Sequence, residues 1–132
     1  MAFLEKDELK TVASMQIIDK ITNVDDSIIT GIVNESISLM KSYLSRKYDV
    51  DLIFSKTGSE RHLTVLKKLK DIVIYEIYER HTREQNAVAA RRYNEAMDWL
   101  EKLNTGEFSD DTLPNPVDPD TDSTGATGDT RF

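Results

Sequence analysis

The sequence predicts an all-α protein: a small bundle of about four to five helices, with a long loop before the central helix and an extended C-terminal arm. Three observations predict it. Apolar residues recur at spacings of three and four through most of the first 103 residues, which is the period of a buried helix face. Gly31 and Gly58 are the only glycines before Gly106, so little interrupts those runs. All three prolines, Pro114, Pro116 and Pro119, fall in the last 20 residues, so chain-breaking residues gather after the helices rather than between them. The expected division is a helical domain over residues 1–106 and an acidic Pro/Gly/Asp-rich tail over residues 107–132.

Each element has its own signal. In "KDELKTVASMQIIDKIT", Leu9, Val12, Met15, Ile18 and Ile21 stand three apart, which predicts one kinked helix or two short ones meeting near Ala13 and Ser14. Asp25 and Asp26 are N-cap residues for "SIITGIVNESISLMKSYLSRKY", whose stripe is Ile29, Ile32, Val33, Ile37, Met40 and Leu44, bordered by Tyr43 and Tyr48. Gly31 lies inside that helix at a cost of up to about 1 kcal/mol against alanine, and a closely packed neighbouring backbone is the expected reason. "DVDLIFSKTGSERH" loses the helical period and reads as a loop with an extended start at Val50, Leu52 and Phe54. The next helix spans about Leu63 to Arg80. Ile72, Val73, Ile74, Tyr75 and Ile77 cover most of its circumference, as a central helix requires. The last runs from about Arg83 to Leu103 with Ala87, Ala90, Tyr93, Met97, Leu100 and Leu103 on one face, and Gly106 is placed to close it in the left-handed region.

At 132 residues the chain is one domain by size. The net charge of −7 is unevenly spread: from Asn104 onward there are seven acids against Arg131 alone, while the preceding 103 residues carry 17 acids and 16 bases. A nearly neutral body therefore bears an acidic tail, and neither half has the bulk basic footprint of a general nucleic-acid binder. There is no cysteine, which excludes disulfides, thiolate metal sites and cysteine nucleophiles. Charges at Glu5, Lys6, Asp7, Glu8 and Lys10 interrupt any signal-peptide core, so a soluble, non-secreted protein is expected.

Chemical motifs are few. "DPDTDSTGATGD" places Asp118, Asp120, Asp122 and Asp129 near the spacing of a calcium loop. However, Ser123 stands where the sharp-turn glycine belongs, the last acid is an aspartate, and Pro114, Pro116 and Pro119 prevent a helix from leading in; the stretch reads as a solvated or partner-bound tail, and no metal is expected. "SRKY" with Lys56, Arg61, Lys67, Lys68 and Lys70 forms a basic cluster that could meet nucleic acid, although helix ends favour such residues anyway. His62 and His81 bracket the central helix at opposite ends, about 27 Å apart, too far to share a metal or a proton. No serine is paired with a base at a catalytic spacing and no glycine-rich loop follows a strand, so neither an enzyme nor a cofactor is expected. Trp99 reads as core, with an interface anchor as the alternative.

Taken in order, "DELK", "ITNVDD", "SYLSRKYDVDL", "LKDIVIYEIYERH" and "RRYNEAMDWLEKLNTGE" resemble the small Mu-like family of tailed-phage head-tail connector, or adaptor, proteins. The resemblance covers about residues 3–108. It is carried by Tyr43, Leu44, Arg46 and Tyr48, by Asp71, Ile72, Tyr75 and Tyr78, and by Tyr93, Ala96, Trp99 and Leu100.

The resemblance implies an α-helical virion protein of the neck, forming a homo-oligomeric ring, often dodecameric, between the portal protein and a downstream neck or tail protein. DNA passes through the lumen without sequence-specific binding, and no membrane is involved. Assembly takes place in the host cytoplasm. Tyr43, Leu44, Tyr48, Ile72, Tyr75, Tyr93, Trp99 and Leu100 are then the family-like core. Val50, Leu52, Phe54 and Arg61 belong to a loop interface that remodels on docking. The tail is read from its own residues and not from the resemblance: Leu113, Val117, Arg131 and Phe132 are expected to anchor it on the portal or a neighbour, and deleting residues 109–132 is expected to weaken assembly while leaving helicity intact. The alternative is a small helical regulator that binds nucleic acid through its "SRKY" and "KKLK" surfaces.

Overall fold

Two short helices come first. The computed structural model describes residues 3–13, 15–22, 25–81 and 86–116, and it opens with a 3-10 helix at Lys6–Thr11 followed by α1 at Met15–Thr22. The two short helices expected here are present, the first ending at Thr11 and the second beginning at Met15, while Ser14 lies outside the described residues. Lys6 ties this region together, its Nζ lying 2.7 Å from carboxylate oxygens of both Asp19 and Asp26.

The second helix, α2 (Asp26–Leu44), starts where the sequence places it, with Asp25 as cap: its Oδ1 accepts the Ser27 N–H at 3.0 Å and satisfies one of the donors a helix start leaves open. Ile29, Ile32, Val33, Met40 and Leu44 are buried along one stripe. Gly31 departs from expectation. A Cβ built there meets nothing within 4 Å, so no neighbouring backbone requires the glycine.

The segment 49–62 is not the loop with an extended start that the alternation of Val50, Leu52 and Phe54 suggests. It holds a helical turn, α3 (Val50–Ser55), and a short 3-10 helix at Gly58–Glu60. Asp49 accepts the Leu52 N–H at 3.1 Å and so caps α3. The winning periodicity is that of Val50, Ile53 and Phe54: Ile53 is buried, Val50 and Phe54 are half-buried, and Leu52 turns outward at 40% exposure.

Helix α4 (Leu63–His81) is the centre, packed against α1, α2 and α5 (Ala87–Thr105). Val65, Leu69, Ile72, Val73, Ile74 and Ile77 are all buried, and the run Asp71–Ile74 is buried without a gap, so β-branched residues occupy a helix whose middle turn is covered on every side. Each such side chain contributes roughly 1.5–3 kcal/mol on burial. Asn86 caps α5 through Ala89 N–H at 2.9 Å, and Gly106 closes it with φ of 86° and its N–H on the Lys102 carbonyl. Among the described residues there is no strand, and no helix is long and apolar enough to cross a membrane. The protein is all-α.

Candidate functional site

Beyond Gly106 the chain does not leave the bundle at once. Phe108 N–H returns to the Lys102 carbonyl at 3.2 Å, and Asp110 N–H donates to the Tyr48 hydroxyl at 3.2 Å. Leu113 is 4% exposed, and the Pro114 carbonyl accepts the Asp49 N–H at 3.0 Å, just ahead of α3. Residues 107–116 therefore form an arm laid across the junction of α2, α3 and α4. Leu113, expected to anchor on another protein, is buried in its own chain. Val117, Arg131 and Phe132, with the alternating aspartates from Asp118 onward, lie outside the described residues.

His62 fastens the arm. Its Nδ1 accepts the Val65 N–H at 3.3 Å, capping α4. Nε2 meets the Thr112 hydroxyl oxygen at 2.6 Å, and that hydroxyl donates to Asp110 Oδ1. Burial alone would raise the Asp110 carboxyl, but the Thr112 hydroxyl and N–H, with His62 nearby, outweigh it and hold it below the usual carboxylate range. This clasp borders a cleft of about 350 Å³ lined by Leu52, Ile53, Lys56, Glu60 and residues 111–114.

Arg61, expected at a loop interface, is spent inside the molecule. Nη1 and Nη2 hold the two oxygens of Glu8 at 2.8 and 2.7 Å, Nη1 also donates to the Phe3 carbonyl, and Nε donates to the Gly58 carbonyl. Glu8 is held below its ordinary range chiefly by these bonds. Beside them Phe54 packs edge-on to Phe3 at 4.9 Å, so two of the loop residues expected to remodel, Phe54 and Arg61, are tied to the N-terminal segment.

The family-like core residues are placed as follows. Leu44, Tyr48, Ile72 and Leu100 are buried; Tyr43, Tyr75, Tyr93 and Trp99 are half-buried at its margin. Tyr75 and Tyr93 stack at 4.1 Å between α4 and α5, and burial raises the Tyr93 hydroxyl pKa. In "SRKY", Arg46 is exposed, but Lys47 lies over Gly106 and the Tyr48 ring is 6% exposed, which removes that ring from any stacking role.

Two further clefts were not legible in the sequence. One, of about 290 Å³, lies between the end of the first 3-10 helix, α4 and α5, and is lined by Val12, Leu63, Leu66, Lys67, Lys70, Asp71 and Arg92. The other, about 150 Å³, shares Val12, Asp71 and Arg92 and reaches Val88. Asp71 is 4% exposed and forms an ion pair with Lys67 at 3.3 Å, so three cations stand against one carboxylate in the larger cleft. Leu63 at 77% and Val88 at 47% are exposed at their rims. Nothing in the one-dimensional pattern joins Val12 to Arg92, because 80 residues separate them.

No cluster of three or more His, Cys, Asp or Glu residues that could hold a metal exists among the described residues. A family model described as Bacteriophage Mu, Gp36 matches residues 3–128. No curated protein matches the chain, and no solved structure does.

Proposed function

The chain belongs to the bacteriophage Mu Gp36 family, and from that premise we propose that it is a structural protein of the virion neck, a head-tail connector that assembles as a ring between portal and tail with DNA passing through the bore. The structural observation that carries the reading is the distribution of exposed apolar side chains. Leu63 and Val88 rim the clefts beside Asp71, whereas Leu52 lines the separate cleft under the arm. A closed ring is built from head-to-tail contacts, which need two different patches on each copy rather than one self-complementary patch. A body with nearly balanced charge also suits a wall past which DNA must slide without being gripped.

The nucleic-acid-binding alternative gains nothing from the fold, since the Tyr48 hydroxyl is occupied by the Asp110 N–H and its ring is buried. Native mass spectrometry of the chain, alone and mixed with the portal protein of the same phage, tests the connector reading. Closed oligomers, alone or on the portal, are the expected result. A monomer that ignores the portal and binds DNA with a steep salt dependence would replace it with the regulator.

A further inference from the structure

The connector reading uses the apolar rim of the cleft beside Asp71, but it leaves two features unused: the excess of cations inside that cleft and the alternating aspartates of the tail. We propose that residues 117–132 of one copy dock, as an extended anionic strip, in the Lys67–Lys70–Arg92 cleft of a neighbouring copy. The inference deepens the ring reading and rests on it only for bringing copies side by side.

Charge is the first argument. Residues 117–132 carry Asp118, Asp120, Asp122 and Asp129 against Arg131, and the cleft sets Lys67, Lys70 and Arg92 against Asp71 alone. Opposite excess charge across a contact steers encounter and fixes register. Spacing is the second. In an extended chain, residues two apart project to the same side, so Asp118, Asp120 and Asp122 present three carboxylates along one edge. Lys67 and Lys70 stand one turn apart on α4, and Arg92 reaches the same cleft from α5.

Reach is the third. The described arm is fixed at Asp49 by the Pro114 carbonyl, and Pro116 and Pro119 bias the chain beyond it toward extended backbone. The segment that follows can span about 50 Å when extended, against a radius of gyration of about 13 Å for a body of this size. That is ample to leave one subunit and cross the face of the next. Leu63, 77% exposed at the rim, supplies apolar surface that a purely solvated cleft would not need.

The native chain has no cysteine, which makes the test clean. Thr121→Cys, between two of the aspartates, is placed in one tagged copy, and Thr11→Cys, beside Lys70 in the cleft wall, in another. Both substitutions leave every charge in place. On mild oxidation of the mixed full-length chains, the expected result is a linked heterodimer in severalfold excess over a control pairing Thr121→Cys with Ser38→Cys, an exposed site on α2. Adding Lys67→Glu and Arg92→Glu, or raising the salt, reduces the link to control level while the far-ultraviolet signal is kept. A chain carrying both cysteines that closes on itself without joining copies overturns the assignment to a neighbour, and a yield no higher than the control overturns the docking altogether. Ring formation is scored separately by native mass spectrometry, so rings without the link defeat this inference alone, and links without rings leave it standing while the connector reading falls.

Discussion

Arg61 and Glu8, 53 residues apart in the chain, form a two-pronged ion pair with both guanidinium nitrogens on both carboxylate oxygens at 2.8 and 2.7 Å. The pair is only partly exposed, at 11% for the arginine and 27% for the glutamate side chain, and it joins the N-terminal 3-10 helix to the segment between α3 and α4.

Removing the fork takes the Arg61 donor from the Phe3 carbonyl and from both Glu8 oxygens, of which only Oε1 keeps another, the Glu5 N–H at 3.0 Å. Arg61→Ala is expected to lower unfolding stability by about 2–3 kcal/mol, read from the urea midpoint at constant slope. Arg61→Lys recovers less than half, because an ammonium cannot make two parallel bonds. Equal stability of the lysine and arginine proteins would show that charge, not the fork, matters.

Acid acts on the same pair and on the arm. Glu8 and Asp110 are both held below their ordinary values of 4.5 and 3.8. A carboxylate depressed in the folded state binds fewer protons than in the unfolded chain, so its stabilisation is complete above the ordinary value and is lost as pH falls through the lower, folded one. Stability measured in urea is therefore expected to be flat near neutrality and to decline from about pH 4 downward. In Glu8→Gln the acid-side decline is shallower. An unchanged slope in that variant would sever the link.

Gly31 gives a prediction of the opposite sign. The site is helical and a methyl group there touches nothing within 4 Å, so alanine removes unfolded-state freedom without a clash. Gly31→Ala is expected to stabilise by about 0.5–1 kcal/mol, visible as a raised thermal midpoint. A lowered midpoint would mean that a methyl group at this site is not accommodated freely and would overturn the prediction.

Leu113 is the apolar pin of the arm. Leu113→Ala is expected to cost about 2–3 kcal/mol and to raise hydrogen exchange at Asp49, whose N–H is covered by the Pro114 carbonyl, while α5 amides keep their protection. A cut after residue 108 removes the same pin, so deleting 109–132 should destabilise the body; a cut after Pro116 should not. Helicity left intact by the longer deletion, as the sequence suggests, would thus come with a lower unfolding midpoint, because that deletion takes buried Leu113 with it.

Helices with a clean stripe and a cap were readable in advance: Asp25 before α2 and Gly106 after α5 stand where the sequence puts them, since both signals are local. Two readings failed for a shared reason. Val50, Leu52 and Phe54 alternate, but Ile53 between them is the buried residue, and which of two overlapping periods wins depends on what lies beneath. Gly31 implied a close neighbour, yet the neighbour is absent. The site was less legible. Thr112 two residues after Asp110 is a recognisable local turn, whereas its meeting with His62, and that of Arg61 with Glu8, depends on how distant segments fold back.

The route of the arm also decides how the molecule bears a load. A pull on the chain beyond Pro116 is not delivered to the end of α5. It arrives first at the bond between the Pro114 carbonyl and the Asp49 N–H and at buried Leu113, which lies beside residues of α3 and of the segment between α3 and α4. Tension is thus shared across the bundle before Gly106 or the last turn of α5 feels it, in the manner of a rope belayed around a post. A tail tied down in this way can be tugged by a moving neighbour without unzipping the helix it follows.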